Sequence, residues 1–369
     1  VVTAQDLRNA GIRVPLLVGG AALTRKFVKT RIAPEYDGLV LYAKDAMEGL
    51  ELANKLSDPV QRAALEEAHR SELAQAAVDG PPRERHSGAR PARSPAIDPD
   101  APVFVPPDLK RHVLRDYPLS HVLPYVNQQM LLGHHLGLKG NVEQLLAAGD
   151  EKAARLKETV DAVIAEAERN GWLRPQAMYR FFRAQSDGND ILVYDPDDPG
   201  RVLKRFSFPR QAAEPYLCLA DFLKSVDSGV MDYVGFLVVT AGPGAQEQAA
   251  KWKESGDYLR SHALLAAALE VAEAMAERTH QIMRDVWGFP DPPDMTMKQR
   301  FAARYQGIRV SFGYPACPNL EDQRLLFDLM RPEDIGVHLT EGYMMDPEAS
   351  VSAMVFAHPQ ARYFNVDKD

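Results

Sequence analysis

The chain has 369 residues, 46% hydrophobic and 25% charged, and a net charge of −8. That length exceeds one ordinary domain, the composition is that of a soluble globular protein, and the acidic balance argues against nucleic acid as a partner. Two distant cysteines, no CxxC or HExxH spacing and no apolar run of about 18 residues argue against a disulfide scaffold, a legible metal motif and a membrane span, and the first residues, VVTAQDLRNAG, do not read as a signal peptide.

Residues 1–58 alternate helix and strand. A helix ends at Leu7–Gly11, and Val14–Val18 is a short apolar strand followed at once by Gly19 and Gly20. A helix runs from about Thr24 to Ile32, Leu39–Tyr42 is the next strand and Asp45–Leu56 the next helix. Glycines at the carboxyl end of a parallel strand let a ligand approach the backbone. By itself a plain βα turn is the better reading. Residues 59–78 continue as a helix rich in Ala, Glu and Arg. From Asp79 to Asp108, Pro, Arg, Ser and Asp dominate and no apolar period survives, which predicts a partly extended tether.

A helical pattern begins at Tyr117. His134 and His135 are adjacent, so on a helix they diverge and do not face one metal. Val142–Asn170 is a long amphipathic helix stopped by Gly171. MYRFFRA (178–184) and DILVYD (190–195) are strands joined by the turn SDGN, and RVLKRFSF (201–208) adds another. The apolar run Tyr233–Val239 is a buried central strand. Gln246–Val286 is helical almost throughout and sets Glu273, Glu277 and His280 on one face. That stripe reads as a solvated charged surface, Glu277 above all.

Gln306–Pro318, QGIRVSFGYPACP, breaks both periods. Pro315 and Pro318 exclude a helix, and Gly313 permits backbone shapes that other residues resist. The result is a rigid loop with free backbone N–H and C=O groups beside one guanidinium, Arg309, and one phenol, Tyr314. Arginine grips a carboxylate through two parallel hydrogen bonds, and exposed backbone groups read a flat base. A Pro-rich turn with a surface arginine accounts for the same residues equally well. Leu320–Met330 is a helix, and residues 337–366 form two strands around DPEAS. Cys218, Cys317 and His358 read as structural.

Several of these segments, in chain order, resemble the reactivation domain of cobalamin-dependent methionine synthase, which binds S-adenosylmethionine (AdoMet). They are CLADF (218–222), DYVGFLVVTAG (232–242), AEAMAE (272–277), WG (287–288), GIR (307–309) with GYPACP (313–318), LTE (339–341), PEASVSAMVFAHP (347–359) and RYF (362–364). The resemblance covers about 110–369. VGGAALT (18–24) and LYAKDA (41–46) resemble the end of the family's cobalamin-binding domain.

The resemblance implies an α+β reactivation domain with an antiparallel sheet and long helices over 109–369. It implies a tether over 79–108 and a partial Rossmann-like α/β cobalamin-binding segment over 1–78. Arg309 would hold the carboxylate of AdoMet, and Asn127 (or His121, if the register slips) with Glu273 its amino group. Gly313, Tyr314, Tyr363 and Phe364 would fix the adenosine. Gly19, Gly20, Asp45 and Ala46 would line the nucleotide tail of cobalamin, carried as methylcobalamin. The implied activity is a methyltransferase of the cytoplasm that reactivates oxidised cobalamin with AdoMet and an electron from flavodoxin or a similar donor. It would support methyl transfer from methyltetrahydrofolate to homocysteine. The family's axial-histidine motif, Asp-x-His-x-x-Gly, is absent here, so the chain is expected to be a C-terminal piece; the other modules, with the zinc of the homocysteine module, lie outside it. The competing readings are an AdoMet-binding or docking module without chemistry and a methyltransferase that needs no corrinoid.

Overall fold

The computed structural model describes residues 2–19, 25, 28–43, 46–79 and 91–366. It divides into two compact units, Val1–Ala89 and Arg90–Asp369.

The first unit carries helices α1 (Val2–Asn9), α2 (Ala46–Ser57) and α3 (Pro59–Asp79) and strands β1 (Leu16–Gly19) and β2 (Val40–Ala43). The strands pair in parallel, from Leu16 opposite Val40 to Gly19 opposite Ala43. Gly19 is there for this pairing, since a Cβ would stand 2.0 Å from the Ala43 carbonyl oxygen. The helix expected over 24–32 is, among the described residues, a π-helical turn at Val28–Ile32 running into a 3-10 turn at Ala33–Glu35. A small core of Ala4, Val28, Ile32, Ala33, Tyr36 and Val40 holds the unit together. Gly20 and Asp45 lie outside the described residues, and Ala46 is the first residue of α2.

The second unit is built on one antiparallel sheet, in the order β6-β5-β4-β7-β11-β8, with β3 pairing the first half of β4 along the edge away from β7. The strands are β3 (His112–Leu114), β4 (Gln176–Asp187), β5 (Asp190–Tyr194), β6 (Val202–Ser207), β7 (Asp232–Thr240), β8 (Ile308–Val310) and β11 (Ser350–Phe356). A two-residue pair, β9 (His338–Leu339) with β10 (Met345–Asp346), stands apart. Side chains alternate across a strand, and on β7 both sets are apolar: Leu237 and Val239 enter one core, Val234, Phe236 and Val238 the other. Burial on both faces is why this run is near-continuously hydrophobic.

Helices α4 (Val142–Ala147), α5 (Glu151–Arg169), α6 (Gly244–Glu254) and α7 (Tyr258–Trp287) contribute to the first of those cores, and α8 (Gln323–Met330) to the second. Two helices expected as single rods are each broken. Gly149 (φ +72) separates α4 from α5, and Gly256 (φ +87) separates α6 from α7. Asn141, Asp150 and Asp257 then cap α4, α5 and α7, each accepting a backbone N–H from the first turn.

The expected tether does not extend through 91–108. Arg93 donates to Ser186 Oγ at 2.9 Å and to the carbonyls of Asp221 and Leu223 at 2.8 Å each, and Ile97 is buried in the second core. Those residues are part of the second unit. Among the described residues no helix is long and apolar enough to cross a membrane, and no cluster of three or more His, Cys, Asp or Glu could hold a metal.

Candidate ligand cleft

The pleat of β8 sets the geometry. Ile308 and Val310 point into the second core, so Arg309 between them must point to the opposite face, towards α7. Register is secured by pairing with β11, where Arg309 stands opposite Val355. On α7 the residues Glu270, Glu273, Glu277, His280 and Arg284 recur at helical spacing and form one polar stripe. The flanking positions Ala266, Ala267, Ala272, Ala274 and Ala276 are buried. Among these packed alanines Glu270 and Glu277 are buried as well, whereas Glu273 is exposed. The burial of Glu277, at 6% exposure, corrects its reading as a solvated residue.

Two adjoining cavities of about 540 and about 530 Å³ open at this edge. Both are lined by Glu273, Arg309, Tyr314, Val351 and Tyr363, so they form one continuous cleft. The first lobe adds Leu219, Ser311, Arg362 and Phe364, and the second adds Asn127, His134, His135, Glu270 and Tyr305.

Arg309 Nη1 donates to Glu277 Oε2 at 2.5 Å and lies 3.2 Å from the Tyr305 hydroxyl. Tyr305 itself donates to the same carboxylate oxygen at 3.2 Å. Burial works against the charge on Arg309, but Glu277, Tyr305 and Tyr363 outweigh it and hold the guanidinium above its ordinary value. Among the described residues Nε and Nη2 have no protein partner, which leaves a two-donor edge for a carboxylate. The carboxylate of Glu273 is exposed on the shared wall and, among the described residues, has no hydrogen-bond or ion-pair partner.

Glu270, one turn earlier, sits 3.1 Å from His135 Nε2. Burial pushes its carboxyl up to about 7, the charge of Glu273 adds to this, and the Asn127 N–H and His134 oppose it. Burial, with the charge of His262, holds His135 below its ordinary value.

Asn127 lines the second lobe, but its Oδ1 accepts the backbone N–H groups of Gln129 and Met130 at 3.0 and 3.3 Å. With both bonds made, its side-chain carbonyl is no longer free to accept from a ligand's amino group. His121, the competing position, is exposed and packs edge-on against Tyr117 at 6.0 Å, and it lines neither lobe. The Gly313 N–H and Tyr314 C=O are also engaged, each bonded to Cys317 at 2.8 Å. The loop is thus a closed turn that raises the half-exposed Tyr314 ring over the cleft, with fewer free backbone groups than expected. Tyr363 donates to the Arg309 carbonyl at 2.9 Å, and Phe364 packs on Phe222 at 6.2 Å. Cys218 and Cys317 are buried, and burial raises both thiols, Cys218 to about 11, so neither is a nucleophile.

The structure brings together Asn127, Glu273, Arg309, Tyr314, Tyr363 and Phe364. Sequence reasoning did not name Glu270 or Tyr305, and gave Glu277 and His135 no role in the site. The alanine-walled stripe on α7 was the signal for the two acids.

Residues 118–368 match a family model described as vitamin B12 dependent methionine synthase, activation domain. The chain is 30% identical over 399 residues to methionine synthase of Mycobacterium tuberculosis (strain ATCC 25618 / H37Rv), covering 98% of the chain and 33% of the relative. It is 31% identical over 406 residues to methionine synthase of Mycobacterium leprae (strain TN), covering 98% and 32%. The chain therefore spans about a third of the length of these curated relatives. A crystal structure of the MetH reactivation domain bound to AdoHcy superposes with a TM-score of 0.69 at 26% identity, over 73% of this chain and 85% of that one.

Proposed function

We propose, from the premise that the chain belongs to the family of vitamin B12-dependent methionine synthase activation domains, that its second unit binds AdoMet in the β8–α7 cleft and presents the methyl group during reactivation of the enzyme. The observation that carries this reading is the pairing of a half-engaged Arg309 with a free Glu273 on one wall of the cleft. A free two-donor guanidinium edge and a free carboxylate are what the two ends of an α-amino acid require. The solved relative is bound to AdoHcy, which has the same amino-acid end and the same adenosine.

In this reading Arg309 takes the ligand carboxylate through Nε and Nη2, and Glu273 takes the ammonium. Asn127 shapes the wall without supplying the acceptor. Tyr314, Tyr363 and Phe364 border the adenosine, with Gly313 forming the turn beneath Tyr314. Methyl transfer from a sulfonium needs alignment of nucleophile, methyl and leaving sulfur rather than proton transfer. That agrees with a cleft that offers clamps and rings and no activated nucleophile.

Cobalamin, when bound, supplies the reduced metal centre that accepts the methyl. Its fit to the first unit is incomplete: Gly19 answers to the β1–β2 pairing, Ala46 opens α2, and Gly20 and Asp45 lie outside the described residues. An electron donor of the flavodoxin kind, and the modules that exchange methyl between methyltetrahydrofolate and homocysteine, are partners this reading requires.

The test is calorimetric titration of the full chain with AdoMet, beside Arg309→Ala. Wild-type binding that the substitution weakens by on the order of 2–5 kcal/mol supports the assignment. No binding to folded wild-type protein overturns it.

A further inference from the structure

Glu277 is nearly buried, at 6% exposure, on the wall of the second lobe behind Arg309. Its Oε2 receives both Arg309 Nη1 and the Tyr305 hydroxyl. Its Oε1 is buried with no hydrogen-bond partner, 3.7 Å from Arg284 Nη2. Arg284 is fixed in turn: it grips Asp291 with two bonds, at 2.6 and 2.8 Å, and stacks on the Tyr305 ring at 3.8 Å. A buried carboxylate gripped from two sides is a rigid anchor.

We propose that Glu277 is the positioning residue of this site: by holding Nη1 of Arg309, with Tyr305, it turns the Nε–Nη2 edge to the cleft for the carboxylate of an amino-acid ligand. This rests on the carboxylate-clamp reading of Arg309 and deepens it. An arginine has five donors in a planar fork. Pinning one end of that plane fixes the direction of the other, so less rotational freedom is lost when the ligand binds.

The test uses the full chain, two ligands and a mutant cycle. AdoMet carries the carboxylate and decarboxylated AdoMet does not. Glu277→Gln, which keeps the shape and loses the charge, is expected to weaken AdoMet about tenfold or more and to leave decarboxylated AdoMet within about twofold. In an Arg309→Ala background the same substitution is expected to add nothing, because it acts through Arg309. Equal losses for both ligands, or additive losses in the cycle, overturn the proposal and leave a structural role. If Glu277→Gln does not fold, Tyr305→Phe removes a hydroxyl bonded to both partners and is read the same way. Wild-type protein that fails to bind AdoMet removes the ligand reading itself. AdoMet binding lost in Arg309→Ala but retained in Glu277→Gln overturns this proposal alone.

Discussion

Arg309 and Glu277 stand 32 residues apart in sequence and 2.5 Å apart in space. The pair forms because a three-residue strand and a long helix each obey their own period. The pleat sends Arg309 up from β8 and the helical repeat sends Glu277 down from α7. An ammonium cannot replace the guanidinium here. In Arg309→Lys the single charged nitrogen would satisfy Glu277, and no second donor edge would remain for a ligand. AdoMet affinity is therefore expected to fall about tenfold or more in Arg309→Lys, close to the loss in Arg309→Ala, with thermal stability nearer to wild type. Calorimetry beside a melting curve separates the two effects, and wild-type affinity in the lysine variant would remove the forked clamp.

Glu270 should make stability fall as pH rises. Its carboxyl has an ordinary value of 4.5 and is pushed up to about 7 in the folded chain, by burial first and Glu273 second. Between those values the folded state keeps a proton that the unfolded state has lost. Stability contributed by the protonated acid is full below about 4.5 and is lost as pH rises through about 7. His135 acts with the opposite sign: its folded value is depressed below the ordinary 6.5, so stability falls as pH drops from 6.5 through that folded value. Glu270→Gln removes the first effect only. It is expected to stabilise the chain above pH 7 by about 1–3 kcal/mol and to flatten the fall between about pH 5 and 7. Melting temperature against pH for both proteins checks this; unchanged curves would mean that Glu270 is ionised at neutral pH.

Which parts of this architecture were readable depended on where each signal lay. The strand pattern of β4, β5, β6 and β7 was legible because turn residues and apolar runs are local. The breaks at Gly149 and Gly256 were not, because a single glycine inside a helical period is tolerated or not according to packing. Arg309, Tyr314, Tyr363 and Glu273 were named through ordered motifs, and all four meet in the cleft. Asn127 reached the cleft but not its expected role, because its side-chain carbonyl is taken by the backbone N–H groups of Gln129 and Met130. Glu277 was misread because charge on a helix usually means solvent. Its partner, Arg309, lies 32 residues further along the chain, so no local pattern announces the pair.

The buried pair Arg210–Asp221 is expected to govern stability without touching the ligand. Its two bonds, at 2.6 and 2.9 Å, join side chains only 4% and 0% exposed, and Asp221 also accepts the Cys218 N–H at 2.9 Å. Asp221→Ala would leave a buried guanidinium without its counter-charge, a change of about 3–5 kcal/mol. Chemical denaturation should report that loss. AdoMet affinity of the protein that remains folded should match wild type. A loss below about 1 kcal/mol would mean that water reaches Arg210 and replaces the carboxylate.

Two glycines flank the central arginine, and they should respond differently to alanine. Gly307 has φ +80, and a Cβ there would stand 2.3 Å from the Phe356 carbonyl oxygen on the neighbouring strand. Gly313 has φ +96, but its nearest neighbour would be Leu320 Cδ1 at 3.7 Å. Gly313→Ala therefore meets only the left-handed backbone strain of about 1–2 kcal/mol. Gly307→Ala meets that strain and must also push β8 away from β11, because a backbone oxygen cannot rotate aside. Arg309 lies two residues beyond Gly307 and opposite Val355, so any displacement of β8 carries the guanidinium with it. Gly307→Ala is expected to lose more stability than Gly313→Ala, by about 1 kcal/mol or more, and to lose AdoMet affinity even at temperatures where it is fully folded. Denaturation and calorimetry on both variants check this. Equal stability and equal affinity would mean that β8 is not what aims Arg309.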